Sequence, residues 1–117
     1  MKYLKSDRLL ADSVLQMVSE LDTGFTLKYN KHYIGLSKNG VSKNFISLTP
    51  RKKMAILSAK LAQTPETDEL LNQSDLDLLA YDRQWNQYRI RFTEKDLTQN
   101  KQLLAKIIEK AYASYML

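Results

Sequence analysis

Residues 44–60 read NFISLTPRKKMAILSAK and decide the fold of this chain. Apolar residues within 45–48 predict a strand that ends at Pro50. Residues 54–61 are largely apolar at positions that face both sides, which is typical of a strand near the centre of a sheet. Residues 44–60 therefore predict two neighbouring strands of one sheet.

Three further segments predict strands. Phe25 to Tyr29 alternates apolar and polar residues, and a second strand is expected over about 32–38. Asn39-Gly40 follows it and predicts a type I′ hairpin, because that turn needs two residues with positive φ. Residues 88–92 alternate again, whereas 75–86 show no clear period and predict mostly loop.

Three segments predict helices. Apolar residues recur at helical spacing over about 7–21, where Ser6 or Asp7 can cap the N-terminus. Thr64, followed by proline and glutamate, predicts the start of a short helix. The last helix is expected to run from about 96 to the C-terminus, with one apolar face and lysines mostly off it.

The order helix, four strands, short helix, strand, helix predicts a single α+β domain over residues 1–117. We expect an antiparallel sheet of about five strands with two long helices packed on one face. The other face is left open in this arrangement. The residues expected on that open face are Lys28, Ser47, Arg89 and Arg91.

Composition excludes several classes of protein. The 117 residues include no cysteine, which removes thiol nucleophiles and cysteine-bound metals. The N-terminal residues are too charged for a signal peptide, and no apolar run reaches the length of about 18 residues that spans a membrane. We expect a cytoplasmic protein with no membrane partner. Its net charge of +5 makes an acidic partner plausible.

Catalytic chemistry finds little support in the residues. The single histidine, His32, has no orienting acid or nucleophile near it in the sequence. Asp75 and Asp77 lack the other ligands of a calcium loop and fit a solvated loop better. Glu94-Lys95 belongs to the start of the last helix. We therefore expect no enzyme, no cofactor and no metal site.

Basic residues interleaved with an aromatic residue form the first candidate binding site, because cations hold phosphates and an aromatic ring stacks a base. A charged outer strand face also keeps a sheet soluble, so both interpretations stand. The candidate nucleic-acid-binding residues are Lys43, Arg51, Lys52, Lys53, Trp85, Arg89 and Arg91.

Aromatic residues near the C-terminus form the second candidate site. Tyr112 and Tyr115 either close the core or seat a protein partner, since tyrosine is enriched at protein interfaces. The partner is another protein or a second copy of this chain. The function predicted first is a non-catalytic protein-interaction module. Direct DNA or RNA binding is the alternative.

Two stretches carry a resemblance to a known family. Residues 44–53, ending in proline and basic residues, and 85–92, which begin with tryptophan, resemble an uncharacterised prokaryotic domain family. Its members are small proteins or the C-terminal domains of longer ones described as predicted transport proteins, some of them nuclease-like. The similarity covers roughly 8–115 and implies the α+β fold and a role near nucleic-acid-processing machinery. The usual family pattern has a histidine and glycines around the tryptophan, which are absent here.

Overall fold

The computed structural model describes residues 3–116, which form four helices and seven strands. The helices are α1 (Lys5–Ser19), α2 (Pro65–Asn72), α3 (Asp96–Gln99) and α4 (Lys101–Met116). The strands are β1 (Phe25–Tyr29), β2 (Ile34–Lys38), β3 (Val41–Ser42), β4 (Ile46–Arg51), β5 (Met54–Lys60), β6 (Asp77–Leu78) and β7 (Gln87–Phe92). The predicted α+β class is confirmed.

All seven strands belong to one antiparallel sheet in the order β1-β2-β4-β5-β7-β6, with β3 paired to β2. The apolar strand β5 lies inside the sheet, as its composition predicted. Leu57 pairs with Leu48 on one side and with Ile90 on the other. Residues 44–60 therefore form the middle of the sheet.

Both long helices pack on the same face of the sheet. Their buried residues include Leu10 and Val14 of α1 and Leu104 and Ile108 of α4, and these join the inward side chains of the strands in one apolar core. Alternation along each strand places one set of side chains in this core and the other set on the opposite face. The opposite face carries no helix within the described residues.

Local signals explain several of the element boundaries. Asn39 and Gly40 have φ values of 55° and 78°, as the predicted hairpin requires. The Thr64 side chain accepts a hydrogen bond of 3.1 Å from the backbone N–H of Thr67 and so caps α2. The prediction that Ser6 or Asp7 is the N-cap of the first helix is wrong. Leu4 takes that position, and the Asp7 carboxylate accepts from the Leu4 N–H at 2.8 Å.

Two differences concern the second half of the chain. The last helix is not continuous, because Asn100 leaves helical geometry (φ −119°, ψ 22°) and separates α3 from α4. Residues 75–86, predicted to be mostly loop, contain the two-residue strand β6 on the edge of β7. Within residues 3–116, no helix has both the length and the apolar composition needed to cross a membrane.

Candidate nucleic-acid interface

The face of the sheet that carries no helix, which we call the open face, is basic and rich in hydroxyl groups. Strand register assigns its members from every second position of β1, β2, β4, β5, β7 and β6. The charged members are Lys28, Arg51, Lys60, Arg89, Arg91 and Asp77. The hydroxyl-bearing members are Thr26, Ser37, Ser47, Thr49 and Ser58. Within the described strands, the open face thus carries five cations and one carboxylate.

Arg89 and Arg91 lie side by side on β7 and are held by its neighbours. One terminal nitrogen of Arg89 donates to the Ala80 carbonyl at 3.3 Å. The Nε of Arg91 lies 3.4 Å from an oxygen of Asp77, close enough for ionic attraction but too long for a good hydrogen bond. That pair is exposed and therefore weak. Asp77 leaves much of the positive potential of Arg91 available.

A groove crosses the open face beside these arginines. Its volume is about 520 Å³, within the range of about 300–1,000 Å³ of small-molecule sites. We call it the sheet groove. It is lined by His32, Tyr33, Asn44, Ser47, Thr49, Ser58, Lys60, Trp85 and Gln87. This lining offers aromatic rings, hydroxyl and amide groups and one fixed cation.

Trp85 stands at the tip of the loop that leads into β7 and is 62% exposed. The Asp82 carboxylate fixes this loop. It accepts hydrogen bonds from the backbone N–H groups of Gln84 and Trp85 at 3.1 and 3.2 Å and from the Gln87 side chain at 3.1 Å. Asn86 takes a φ of 51°, and its carbonyl accepts from the N–H of Leu61. A large apolar ring is thus presented to solvent from a well-supported turn.

A second, smaller groove lies on the other side of this loop. It has a volume of about 230 Å³ and is lined by Lys60, Leu61, Ala62, Trp85, Asn86, Ser114 and Tyr115. We call it the Tyr115 groove. Lys60 and Trp85 line both grooves, and the Lys60 ammonium lies 5.9 Å from the centre of the Tyr115 ring. Trp85 and Tyr115, predicted for different partners, therefore belong to one surface.

The remaining basic candidates lie apart from this surface. Arg51 is on the open face at the far end of β4, about 20 Å from Lys60 by the length of a strand of this size. Lys52 forms the exposed turn after it. Lys53, with a φ of 59°, lines a depression beside Leu9 of α1 on the helix side. The hairpin turn therefore divides residues 51–53 between the two sides of the sheet.

Lys43 also lies apart from residues 51–53. Its backbone N–H donates to the Leu36 carbonyl at 2.8 Å, and the whole of β4 separates it from Arg51. Its neighbour Asn44 is the residue that reaches the sheet groove.

Tyr112 is used inside the fold rather than presented to a partner. Its ring packs edge-on against Phe25 and Phe45, and its hydroxyl donates to the Asp22 carboxylate at 2.9 Å. Tyr115, one turn further along α4, is 42% exposed. Of the two predicted interface residues, Tyr115 is the one at the surface.

Asp77, considered above for a calcium loop, and Asp82, further along the chain, both have other partners. Asp77 faces Arg91, and Asp82 supports the Trp85 loop. No group of three His, Asp or Glu side chains with metal-binding geometry occurs in residues 3–116. His32 is exposed and lines the sheet groove.

Sequence reasoning missed Lys60, Asn44 and Gln87 as members of this surface. Lys60 follows Met54 by an even number of residues, so counting along β5 would have placed it on the face of Arg89 and Arg91. Asn44 has no such signal, because it lies outside a strand. No family model, curated protein or solved structure matches this chain. The resemblance to the prokaryotic domain family stays a prediction.

Proposed function

We propose that this domain binds nucleic acid through its open face. The observation that carries the proposal is the charge of that face, which has one carboxylate and five cations. These cations are Lys28, Arg51, Lys60, Arg89 and Arg91. Phosphate groups supply most of the affinity of proteins for nucleic acid, and arginine binds them with its planar fork. Hydroxyl groups between these cations add hydrogen bonds to phosphate and sugar oxygens.

The distribution of charge over the molecule supports the same proposal. Residues 1–60 have a net charge of +7, from 11 Lys and Arg against 4 Asp and Glu. Residues 61–117 have −2, from 7 against 9, yet two of their basic residues are Arg89 and Arg91 on the open face. The α2 helix carries Glu66, Glu69 and other acids on the helix side. The acids of α2 and the cations of the open face therefore lie on opposite sides of the domain.

Salt titration of binding tests the proposal. The protein is mixed at low salt with a fluorescent 20-nucleotide strand and, separately, with its duplex. With three or four phosphate contacts to a single strand, affinity should fall roughly 20- to 50-fold between 50 and 200 mM salt. If neither nucleic acid binds at 50 mM salt, or if binding is independent of salt, the proposal is wrong.

A pair of matched double variants locates the contacts. Arg89→Gln with Arg91→Gln should weaken binding and lower the salt slope by about 1.4, from about 0.7 for each lost contact. Lys101→Gln with Lys106→Gln removes the same charge from α4 on the helix side and should leave both quantities near wild type. Equal effects of the two double variants would mean that net charge, rather than the open face, accounts for binding.

Protein binding is the second candidate function. Its support is the exposure of Tyr115 beside Trp85, since such aromatic residues are enriched at protein interfaces. A second copy of this chain would then cover these rings. Sedimentation velocity between 5 and 500 μM tests this case, where Tyr115→Ser should remove any dimer. A strict monomer over that range would contradict it.

The resemblance of residues 8–115 to domains found in nuclease-like proteins also supports nucleic-acid binding. It implies a link to proteins of nucleic-acid processing, beside which we propose that this chain acts as a non-catalytic module. We propose a cytoplasmic location with it, in keeping with a chain that has no cysteine.

A further inference from the structure

We infer that the nucleic acid bound by this domain is single-stranded and that one of its bases stacks on Trp85. This inference rests on the proposed function and adds the class of nucleic acid and the point of base contact. It is carried by the position of Trp85, which is exposed on a supported loop and lines both the sheet groove and the Tyr115 groove. The open face holds the phosphates, and the tryptophan holds a base.

The exposure of Trp85 has a cost that a partner removes. A tryptophan buries a large apolar area when it packs, so leaving 62% of it in solvent forgoes much hydrophobic stabilisation. The three hydrogen bonds to Asp82 hold the loop in this arrangement before any partner arrives. A loop whose backbone is already fixed loses little conformational entropy on binding, as a stacking platform requires.

The groups around Trp85 suit an unpaired base. Tyr33 and His32 bring further rings to the sheet groove. Asn44 brings an amide nitrogen and Gln87 an amide oxygen, because the other end of each amide is bound within the fold. Aromatic rings stack on bases of every kind, whereas amides donate to and accept from base edges. In a duplex the base faces are stacked on one another and the pairing edges are occupied. The exposed indole can therefore stack on a base of a single strand but not on one inside a duplex.

The arginines of β7 can position the rest of the bound nucleic-acid strand. From Phe92 to Gln87, strand β7 spans about 17 Å and brings Arg91 and Arg89 in turn towards the loop of Trp85. Lys60 stands where the sheet groove and the Tyr115 groove meet. A single nucleic-acid strand that runs along β7 with its phosphates on the arginines reaches Trp85 at the end of the sheet. Beyond it, Tyr115 offers a second ring.

Trp85 is the only tryptophan in the sequence, so intrinsic fluorescence reports on this residue alone. Intrinsic tryptophan fluorescence is recorded while a 10-nucleotide mixed-sequence DNA strand, its RNA counterpart and the blunt DNA duplex are titrated at 50 mM salt. We expect the single strands to quench the emission and to bind at least tenfold more tightly than the duplex. A duplex that binds as tightly as the single strand overturns the inference.

Variants separate stacking from general attraction. Trp85→Ala should weaken single-strand binding by about tenfold or more, while Trp85→Phe, which keeps a ring, should lose about threefold. Leu9→Ala, at another exposed apolar residue (54% exposed) on the helix side, should bind as wild type. Circular dichroism confirms that each variant is folded. Binding of these variants is followed with labelled strands.

The outcomes distinguish the two proposals. Single strands could bind with steep salt dependence while the wild-type protein shows no quenching and Trp85→Ala binds as tightly as wild type. In that case nucleic-acid binding stands and stacking on Trp85 is wrong. If no nucleic acid binds at 50 mM salt, both are wrong. Quenching of Trp85 by self-association alone, with no effect of oligonucleotide, would also overturn the inference and favour a protein partner.

Discussion

The hydroxyl of Tyr112 donates a hydrogen bond of 2.9 Å to the carboxylate of Asp22, 90 positions earlier in the chain. The same oxygen accepts from the Lys38 ammonium at 2.8 Å. One carboxylate thus links the segment after α1, strand β2 and helix α4. It fastens the edge of the core where Phe25 and Phe45 meet the Tyr112 ring.

Acid should weaken the fold through Asp22. Hydrogen bonds from Lys38 and then Tyr112 hold the pKa of this carboxyl below its ordinary value of 3.8. A lowered pKa stabilises the folded state above pH 3.8, and this stabilisation is lost as pH falls through the folded pKa. Asp22→Asn should therefore lower the urea midpoint at pH 7 and flatten its decline below pH 4.

Urea unfolding at pH 7, 4 and 3 measures this effect. Asp75→Asn, at an exposed aspartate, is the matched control and should retain the wild-type profile. An Asp22→Asn profile parallel to that of wild type would contradict the prediction.

Alkali should weaken the fold through Tyr88. Burial raises the pKa of Tyr88 from 10.0 to about 12, and its hydroxyl donates to Asp68 at 2.8 Å and accepts from the Thr64 N–H. A raised pKa stabilises the folded state below pH 10, and this stabilisation is lost as pH rises through 12. Tyr88→Phe should lose about 1 kcal/mol at pH 7 and depend less on pH above 10.

Urea unfolding from pH 8 to 11.5 tests this second pH effect. Tyr115→Phe makes the same substitution at an exposed ring and should follow wild type throughout. The expectation fails if both variants lose stability equally between pH 10 and 11.5.

Asp82 should control the mobility of Trp85. Asp82→Ala removes the acceptor for the Gln84 and Trp85 backbone N–H groups, so the indole should rotate faster and its fluorescence anisotropy decay should gain a fast component. The free energy of unfolding should fall by about 1 kcal/mol. Asp75→Ala serves as the control. An unchanged anisotropy decay would show that other contacts hold the loop.

Gly35 and Asn44 should be energetically coupled. A Cβ at Gly35 would lie 2.4 Å from the Asn44 side-chain oxygen, which accepts from the Leu36 N–H at 2.8 Å. Gly35→Ala should therefore cost about 1–3 kcal/mol, through displacement of Asn44. In an Asn44→Ala background the same substitution should cost clearly less. Additive losses in this double-mutant cycle would refute the coupling.

Local signals in the sequence predicted much of the fold. Asn39-Gly40 and Thr64 act through their own backbone conformation or a nearby N–H, so neighbouring residues suffice to recognise them. The apolar character of 54–60 correctly placed β5 inside the sheet, between β4 and β7, although its second face stays partly open to solvent. Leu4 was missed as an N-cap because its side chain has no oxygen and Asp7 supplies the acceptor instead.

The candidate site was predicted less completely, because it depends on strand order. Trp85 and Tyr115 line one groove only because β7 lies beside β5, which brings the loop before β7 to Lys60. No local sequence pattern predicts that β7 lies beside β5. The division of 51–53 between two faces likewise depends on a hairpin turn with Lys53 at positive φ.

The junction between β2 and β4 is the narrowest in the sheet. Only Ile34 and Leu48 pair across it. The segment just before β4 adds two hydrogen bonds to Leu36, one from the Lys43 N–H to its carbonyl and one from its N–H to the Asn44 side chain. By contrast, six residues of β5 pair with β4 and six with β7. The amide hydrogens of β1 and β2 should therefore exchange with heavy water well before those of β5, through partial opening that leaves the larger part of the sheet intact.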